Sequence, residues 1–290
     1  TAILSLKESS LAYEDYRAYE LLGDIYYKRR ELEKARFNWS RAAKLSPEEK
    51  SVAERLARLE KEMGLAESES RIEMPHFDVR YEKSIPVSAE KLVAILERAY
   101  FDVGRDFSYL PASRTIAYFY SEEDFRRIFS LPGHVRAFYD GNIKMPFPAG
   151  AVNEDELTRY IYHEYTHAVV SAITNNNCPA WFNEGLATWI EFKRNDAALA
   201  SLLPKLASGI ELSLGSLNEG ISPESKDPRL YYLLSYTVVK YIVDKWGMSG
   251  LRDLLKRMAG GQHIVNAIDD EFLLSEKEFT ARWRDYVRTR

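Results

Sequence analysis

Between positions 13 and 63 apolar residues recur at helical spacing amid dense charge, and this pattern predicts a run of helices. Tyr19, Leu22, Gly23 and Tyr26 fall together on a first helix, Ala35, Trp39 and Ala42 on a second, and Pro47 ends the pair. Gly23 and Ala42 are small where two helices must approach, and the aromatic side chains fill the space left between them. Residues 52–63 continue as a third helix able to cover the exposed end. Residues 64–71 are polar, lack apolar periodicity and read as a linker. Beyond them the period changes. Residues 76–81 alternate as a strand, 115–120 form a β-branched and aromatic strand, and 89–107 between them read as an amphipathic helix with Ser88 as its N-cap. Residues 140–145, opened by Asp-Gly and closed by Pro146 and Pro148, read as a short strand at a sheet edge, because proline cannot donate to the ladder. From Glu154 onward the pattern is helical almost throughout. The expected division is a helical module over residues 1–63, a linker over 64–72 and a second domain over 73–290.

Within that helical stretch, His163-Glu164-Tyr165-Thr166-His167 carries the clearest chemistry. Residues four apart on a helix share a face, so the two imidazoles can converge on one ion, as tetrahedral zinc with nitrogen ligands requires. Glu164 projects about 100 degrees around the axis from His163, where its carboxylate reaches a water without ligating the metal. That is the position of a general base. A catalytic zinc site uses three protein ligands. Sixteen residues separate His167 from Glu184, which lies in Pro179-Ala180-Trp181-Phe182-Asn183-Glu184-Gly185-Leu186-Ala187. Pro179 and Asn183 are helix-start signals, Gly185 and Ala187 permit close helix contact, and Glu184 is the carboxylate so presented.

His-Glu-x-x-His (HEXXH) followed by Trp-x-x-Glu-Gly-x-Ala resembles the signature of the gluzincin metallopeptidases, which include thermolysin and the aminopeptidase N relatives. Residues 74 to about 250 look most like the peptidase MA-like domain of that group. The resemblance implies an α+β fold: a gluzincin-like (thermolysin-like) catalytic domain with a small mixed sheet and a helical C-terminal part, preceded by an all-α helical-repeat module. It implies one Zn2+ per chain on His163, His167 and Glu184, with Glu164 as base, acting on a peptide or protein substrate. The stretch opened by Tyr232 looks like the helix on which relatives place a tyrosine for the oxyanion. Tyr232 is therefore the second catalytic candidate, with Tyr231 and Tyr236 as competitors and His263 as a weaker one. The chain departs from the aminopeptidases in lacking a Gly-x-Met-Glu-Asn segment, which favours endopeptidase action. The expected edge strand at Gly141, Asn142, Ile143 and Lys144 would then bind extended substrate by β-strand addition. Thr188 stands where thermolysin-like enzymes carry an aspartate that orients a ligand histidine, and Glu191, on the same face as Glu184, is the candidate substitute. Cys178 reads as a small loop-buried residue rather than an inhibitory ligand. Residues 16–49 resemble a tetratricopeptide repeat, departing by Tyr19 for Trp and Trp39 for Phe. A single repeat cannot bury its apolar face alone, so it serves either as a docking surface for a protein partner or as a buttress.

Composition limits the alternatives. With 46% apolar and 29% charged residues the chain is expected to fold. A net charge of -4 offers no phosphate-tracking surface, so no nucleic-acid partner is expected, and Arg282, Arg284, Arg288 and Arg290 read as a solvated helix face. No run of eighteen apolar residues marks a membrane span, and the single Cys178 excludes a disulfide within these residues. Thr1 in place of Met suggests that upstream residues have been removed. Export is common among the relatives, which favours an extracytoplasmic location. The rival function is a non-catalytic or latent zinc-binding module acting through its helical repeat.

Overall fold

The computed structural model describes residues 3–7, 15–65, 69–83, 85, 89–131, 137–147, 153–193, 213–218 and 228–289. Ser88 and Pro148, read above as a cap and a strand terminator, lie outside them. The elements are α1 (Tyr16–Lys28), α2 (Leu32–Leu45), α3 (Lys50–Leu65), β1 (Glu69–Glu73), β2 (Phe77–Glu82), α4 (Ala89–Phe107), β3 (Thr115–Ser121), α5 (Glu122–Phe129), β4 (Phe138–Tyr139) and β5 (Ile143–Phe147). They continue as α6 (Glu154–Thr174), α7 (Ala180–Phe192), α8 (Leu214–Asn218), α9 (Pro228–Ala259), α10 (Ile264–Phe272) and α11 (Glu276–Arg288). No helix among the described residues is long and apolar enough to cross a membrane.

The chain forms two compact units. The first comprises Thr1–Glu73, Asp78–Pro86 and Ile116–Ala151, the second Met74–Phe77, Val87–Thr115 and Val152–Arg290. In the first unit α1 and α2 pack as an antiparallel pair around buried Tyr19, Leu22, Ala35, Trp39 and Ala42. Gly23 is required there, since a β-carbon would lie 2.2 Å from Trp39 Cδ1. The sheet runs in the order β1-β2-β3-β5-β4, with β1 antiparallel to β2, β3 parallel to β5 and β4 antiparallel to β5. It is a small mixed sheet, as expected.

Two expectations fail here. Of the stretch 64–72, residues 66–68 lie outside the described ones and the rest is structured: α3 continues through Leu65, and Glu69–Glu73 is a strand paired with β2. Its alternation is hidden because its charges are satisfied at long range, Glu69 by Arg30 (3.4 Å) and Arg71 by Asp78 (2.7 Å). Helices α1–α3 and most of the sheet fall in one compact unit. The segment Gly141–Lys144 is also not a free edge. Ile143 and Lys144 are flanked by β3 on one side and by β4 on the other, and Asn142, Ile143 and Lys144 are buried. The two-residue β4 occupies the position that substrate was expected to take.

The second unit is built around α6, which is buried on most sides and packs on α4 and α7, while α9 covers α6 and α7. The contact between α7 and α9 depends on Gly185, where a β-carbon would lie 2.5 Å from the Ser235 carbonyl oxygen. Gly247 breaks α9 with φ 67°, a left-handed conformation that glycine adopts without steric cost.

Candidate metal centre

Asn153 starts α6 by accepting hydrogen bonds from the Asp155 and Glu156 amides at 3.1 and 3.3 Å, and three acidic residues in the first turn suit the positive end of the helix dipole. Asn175 ends it in the left-handed conformation. His163 and His167 thus sit one turn apart on a long, firmly terminated helix, with ring centroids 4.9 Å apart. Pro179 occupies the N-cap of α7, which places Glu184 in the second turn and Glu191 two turns further on.

The Nε2 atoms of both histidines face one oxygen of Glu184. The separations from Glu184 Oε2 are 3.3 Å to His163 Nε2 and 3.7 Å to His167 Nε2. Ligand atoms about 2.0–2.1 Å from a tetrahedral ion stand roughly 3.3–3.4 Å from one another, so the first separation matches and the second is a few tenths of an ångström wider than ligands sharing one ion would show. Glu164 adjoins the set: one ligand atom each from His163, Glu164 and His167 lie within 4.8 Å of one another. The Glu164 carboxylate is 5% exposed and its Oε2 has no hydrogen-bond partner among the described residues. A buried, unpaired carboxylate oxygen is costly unless a cation, a water or a substrate group compensates it. The donor set and the orphaned oxygen together fit a divalent cation.

Electrostatics follow from the same packing. Burial pushes the Glu164 carboxyl up to about 8, an effect that His163 opposes. Burial acts against charge on His163, but hydrogen bonds to Glu184 and Glu191 outweigh it and hold the imidazole well above the usual histidine range. His167 is shifted down by burial, with Glu184 acting in the opposite sense. Burial also opposes ionisation of Glu184, yet His167 and His163 keep it below the ordinary carboxylate value. The same atoms that hold protons here would hold a cation in their place, so acid and metal compete.

Glu191 Oε2 lies 3.1 Å from His163 Nδ1, which fixes the ring with Nε2 directed at Glu184. Glu191→Gln is therefore expected to weaken zinc binding by about 10–100-fold, measured by competition titration with a chromogenic chelator, without loss of the helical circular dichroism signal. Asn183 was read only as a helix-start signal. Its Oδ1 and His167 Nδ1 are both buried and unpartnered among the described residues, and after Glu184 it is a second, weaker influence favouring the proton on His167. Its position directly before Glu184 is the signal that could have revealed it.

Of the tyrosine candidates, Tyr232 feels both Glu184 and Glu164, whereas Tyr231 feels Glu184 and Tyr232. Burial raises both phenols to about 12, so each remains a proton donor at neutral pH. Tyr236 is buried with its ring against Phe192. His263 instead caps α10, accepting from the Val265 amide at 3.4 Å. Cys178 donates weakly to the Pro179 carbonyl, and burial raises its thiol, which keeps it protonated.

The sequence model of the peptidase MA superfamily matches residues 133–289, just over half of the chain. The match starts later and ends later than the stretch of 74 to about 250 expected from the motifs. No curated protein sequence matches. Two solved structures are similar in part: a point mutant of a two-domain M1 zinc metallopeptidase bound to L-arginine, at 15% identity, with 76% of this chain and 51% of that one covered and a TM-score of 0.44; and the M1 zinc metallopeptidase from Deinococcus radiodurans, at 13% identity, with 76% and 50% covered and a TM-score of 0.43. The chain spans about half the length of these two proteins.

Proposed function

The chain belongs to the peptidase MA superfamily, and from that premise we propose that it is a zinc-dependent peptidase in which His163, His167 and Glu184 hold the ion and Glu164 is the general base. The observation that carries this reading is the convergence of two imidazole nitrogens on one Glu184 oxygen at 3.3 and 3.7 Å. When bound, zinc supplies Lewis acidity, lowering the pKa of water and polarising a carbonyl. Glu164 takes a proton from the attacking water at its free oxygen and delivers it to the departing amine. Glu191 holds His163 in the tautomer that leaves Nε2 free to ligate. Tyr232 donates a hydrogen bond to the oxygen on which negative charge develops.

Endopeptidase action is the finer part of the proposal, and the absence of the Gly-x-Met-Glu-Asn amine-binding segment from the sequence supports it. The substrate class is an extended peptide or an unfolded protein. An extracytoplasmic site of action is consistent with this reading.

The discriminating assay is digestion of unfolded casein with and without a zinc chelator. Cleavage that stops on chelation and returns on adding zinc is the expected result. Cleavage that survives complete removal of zinc contradicts the proposal. Zinc-loaded protein that cleaves neither casein nor a broad peptide library would favour the latent binding module.

A further inference from the structure

In the first unit a cluster of buried charge takes no part in the centre described above. Lys144, on β5, is fully buried. Its ammonium donates to the Tyr27 hydroxyl and to Asp140 Oδ2 at 3.0 Å, and pairs with Glu62 Oε2 at 3.2 Å. Tyr27 in turn donates to Glu62 Oε1 at 2.5 Å. Glu62, on α3 and itself buried, is shared with Arg30 Nη1 at 3.2 Å. The aromatic rings of Tyr27, Phe129 and Phe138 stand 4.4 to 5.8 Å from the ammonium. Four segments far apart in sequence therefore meet on one lysine.

The same contacts close a face of α1. Glu20, Asp24, Tyr27 and Lys28 follow one another at helical spacing along one side of that helix. Glu20 and Asp24 are bound by Arg55 of α3 at 2.5 and 2.7 Å. Tyr27 is taken by Lys144, and the stem of Lys28 lies against Gly141, where a β-carbon would be 2.6 Å from Lys28 Cγ. Gly141, with φ 109°, lets the backbone turn and approach at once.

We propose that residues 140–144 act as an intramolecular ligand of the helical segment, occupying in cis the inner face of α1 with Lys144 as the pin. The helical segment is then a closed part of the sheet unit, and a protein partner reaches that face only by displacing the turn. The pin and the face open together, because removing the lysine takes one of two cations from buried Glu62, leaving it Arg30 alone, and takes its cation from Asp140, and weakening a buried charge network in this way is destabilising.

The test is hydrogen exchange on the whole chain, comparing the wild type with Lys144→Met and with the double variant Lys144→Met, Glu62→Gln. The single substitution is expected to lower Tm by roughly 10 °C and to deprotect α1, α3 and β5 as a set, while α6 and α7 keep their protection. The double variant, which removes the excess negative charge at Glu62 but keeps an acceptor for Tyr27 and Arg30, is expected to recover more than half of the Tm loss. Should Lys144→Met fail to fold, Asp140→Asn gives the same pattern with a smaller shift, since Asp140 is only partly buried. Unchanged protection of α1 and α3 when Lys144 or Asp140 is replaced, or loss confined to β5, overturns the proposal.

Discussion

Glu164→Gln is expected to lower peptide hydrolysis by about 10²–10⁴-fold while zinc content stays at that of the wild type. Glutamine matches glutamate in shape, so the buried position beside Tyr165 and Thr166 keeps its packing, and the proposed ligands His163, His167 and Glu184 are untouched. What is lost is the ability to take a proton. The pH profile separates this from a general defect. Burial, only partly opposed by His163, raises the Glu164 carboxyl to about 8, and a cation on the neighbouring side chains favours its ionised form, shifting it downward. Wild-type activity should therefore rise with pH as this group loses its proton and fall on acidification. The glutamine variant should show a residual rate without that limb. Initial rates on a quenched fluorescent peptide across pH, with zinc measured by elemental analysis, check both points. Zinc loss in the variant would make Glu164 a ligand rather than a base.

Tyr232→Phe is expected to reduce kcat by about 10²–10³-fold with KM and zinc content unchanged, the pattern of an interaction made only in the transition state. Tyr231→Phe serves as its control and should leave kcat within a few fold. The distinction rests on the Tyr232 phenol interacting electrostatically with both Glu164 and Glu184, whereas that of Tyr231 interacts with Glu184 alone of the two. Burial keeps the phenol protonated, as a hydrogen-bond donor must be. If the Tyr231 variant carries the loss instead, the two roles exchange and the proposed metal ligands are unaffected.

The centre was legible in the sequence because its geometry is local. A four-residue spacing places two imidazoles on one helical face, and Pro179 with Asn183 marks where the next helix begins, so the approach of Glu184 needed only two adjacent helices. Glu191 was reachable by the same counting. The fold before the site was less legible, since long-range pairing decides it. Residues 69–72 read as linker because their charges find Arg30 and Asp78, which local periodicity does not register. The two-residue β4 is too short to leave a pattern, yet it turns the expected edge strand into an interior one. The helix α5 was missed although Ser121 accepts from the Asp124 amide, a capping signal just before Phe125 and Phe129. Lys144 illustrates the limit most clearly. A lysine in a strand reads as solvent-facing or substrate-facing, and only partners at positions 27, 62 and 140 make it a core residue.

The most direct measurement of the central claim is anomalous diffraction at the zinc edge from crystals of the zinc-loaded protein. The account predicts a single strong peak within bonding distance of His163 Nε2, His167 Nε2 and the Glu184 carboxylate. A peak elsewhere, or a zinc ion bound by the two imidazoles with Glu184 turned away, would contradict it.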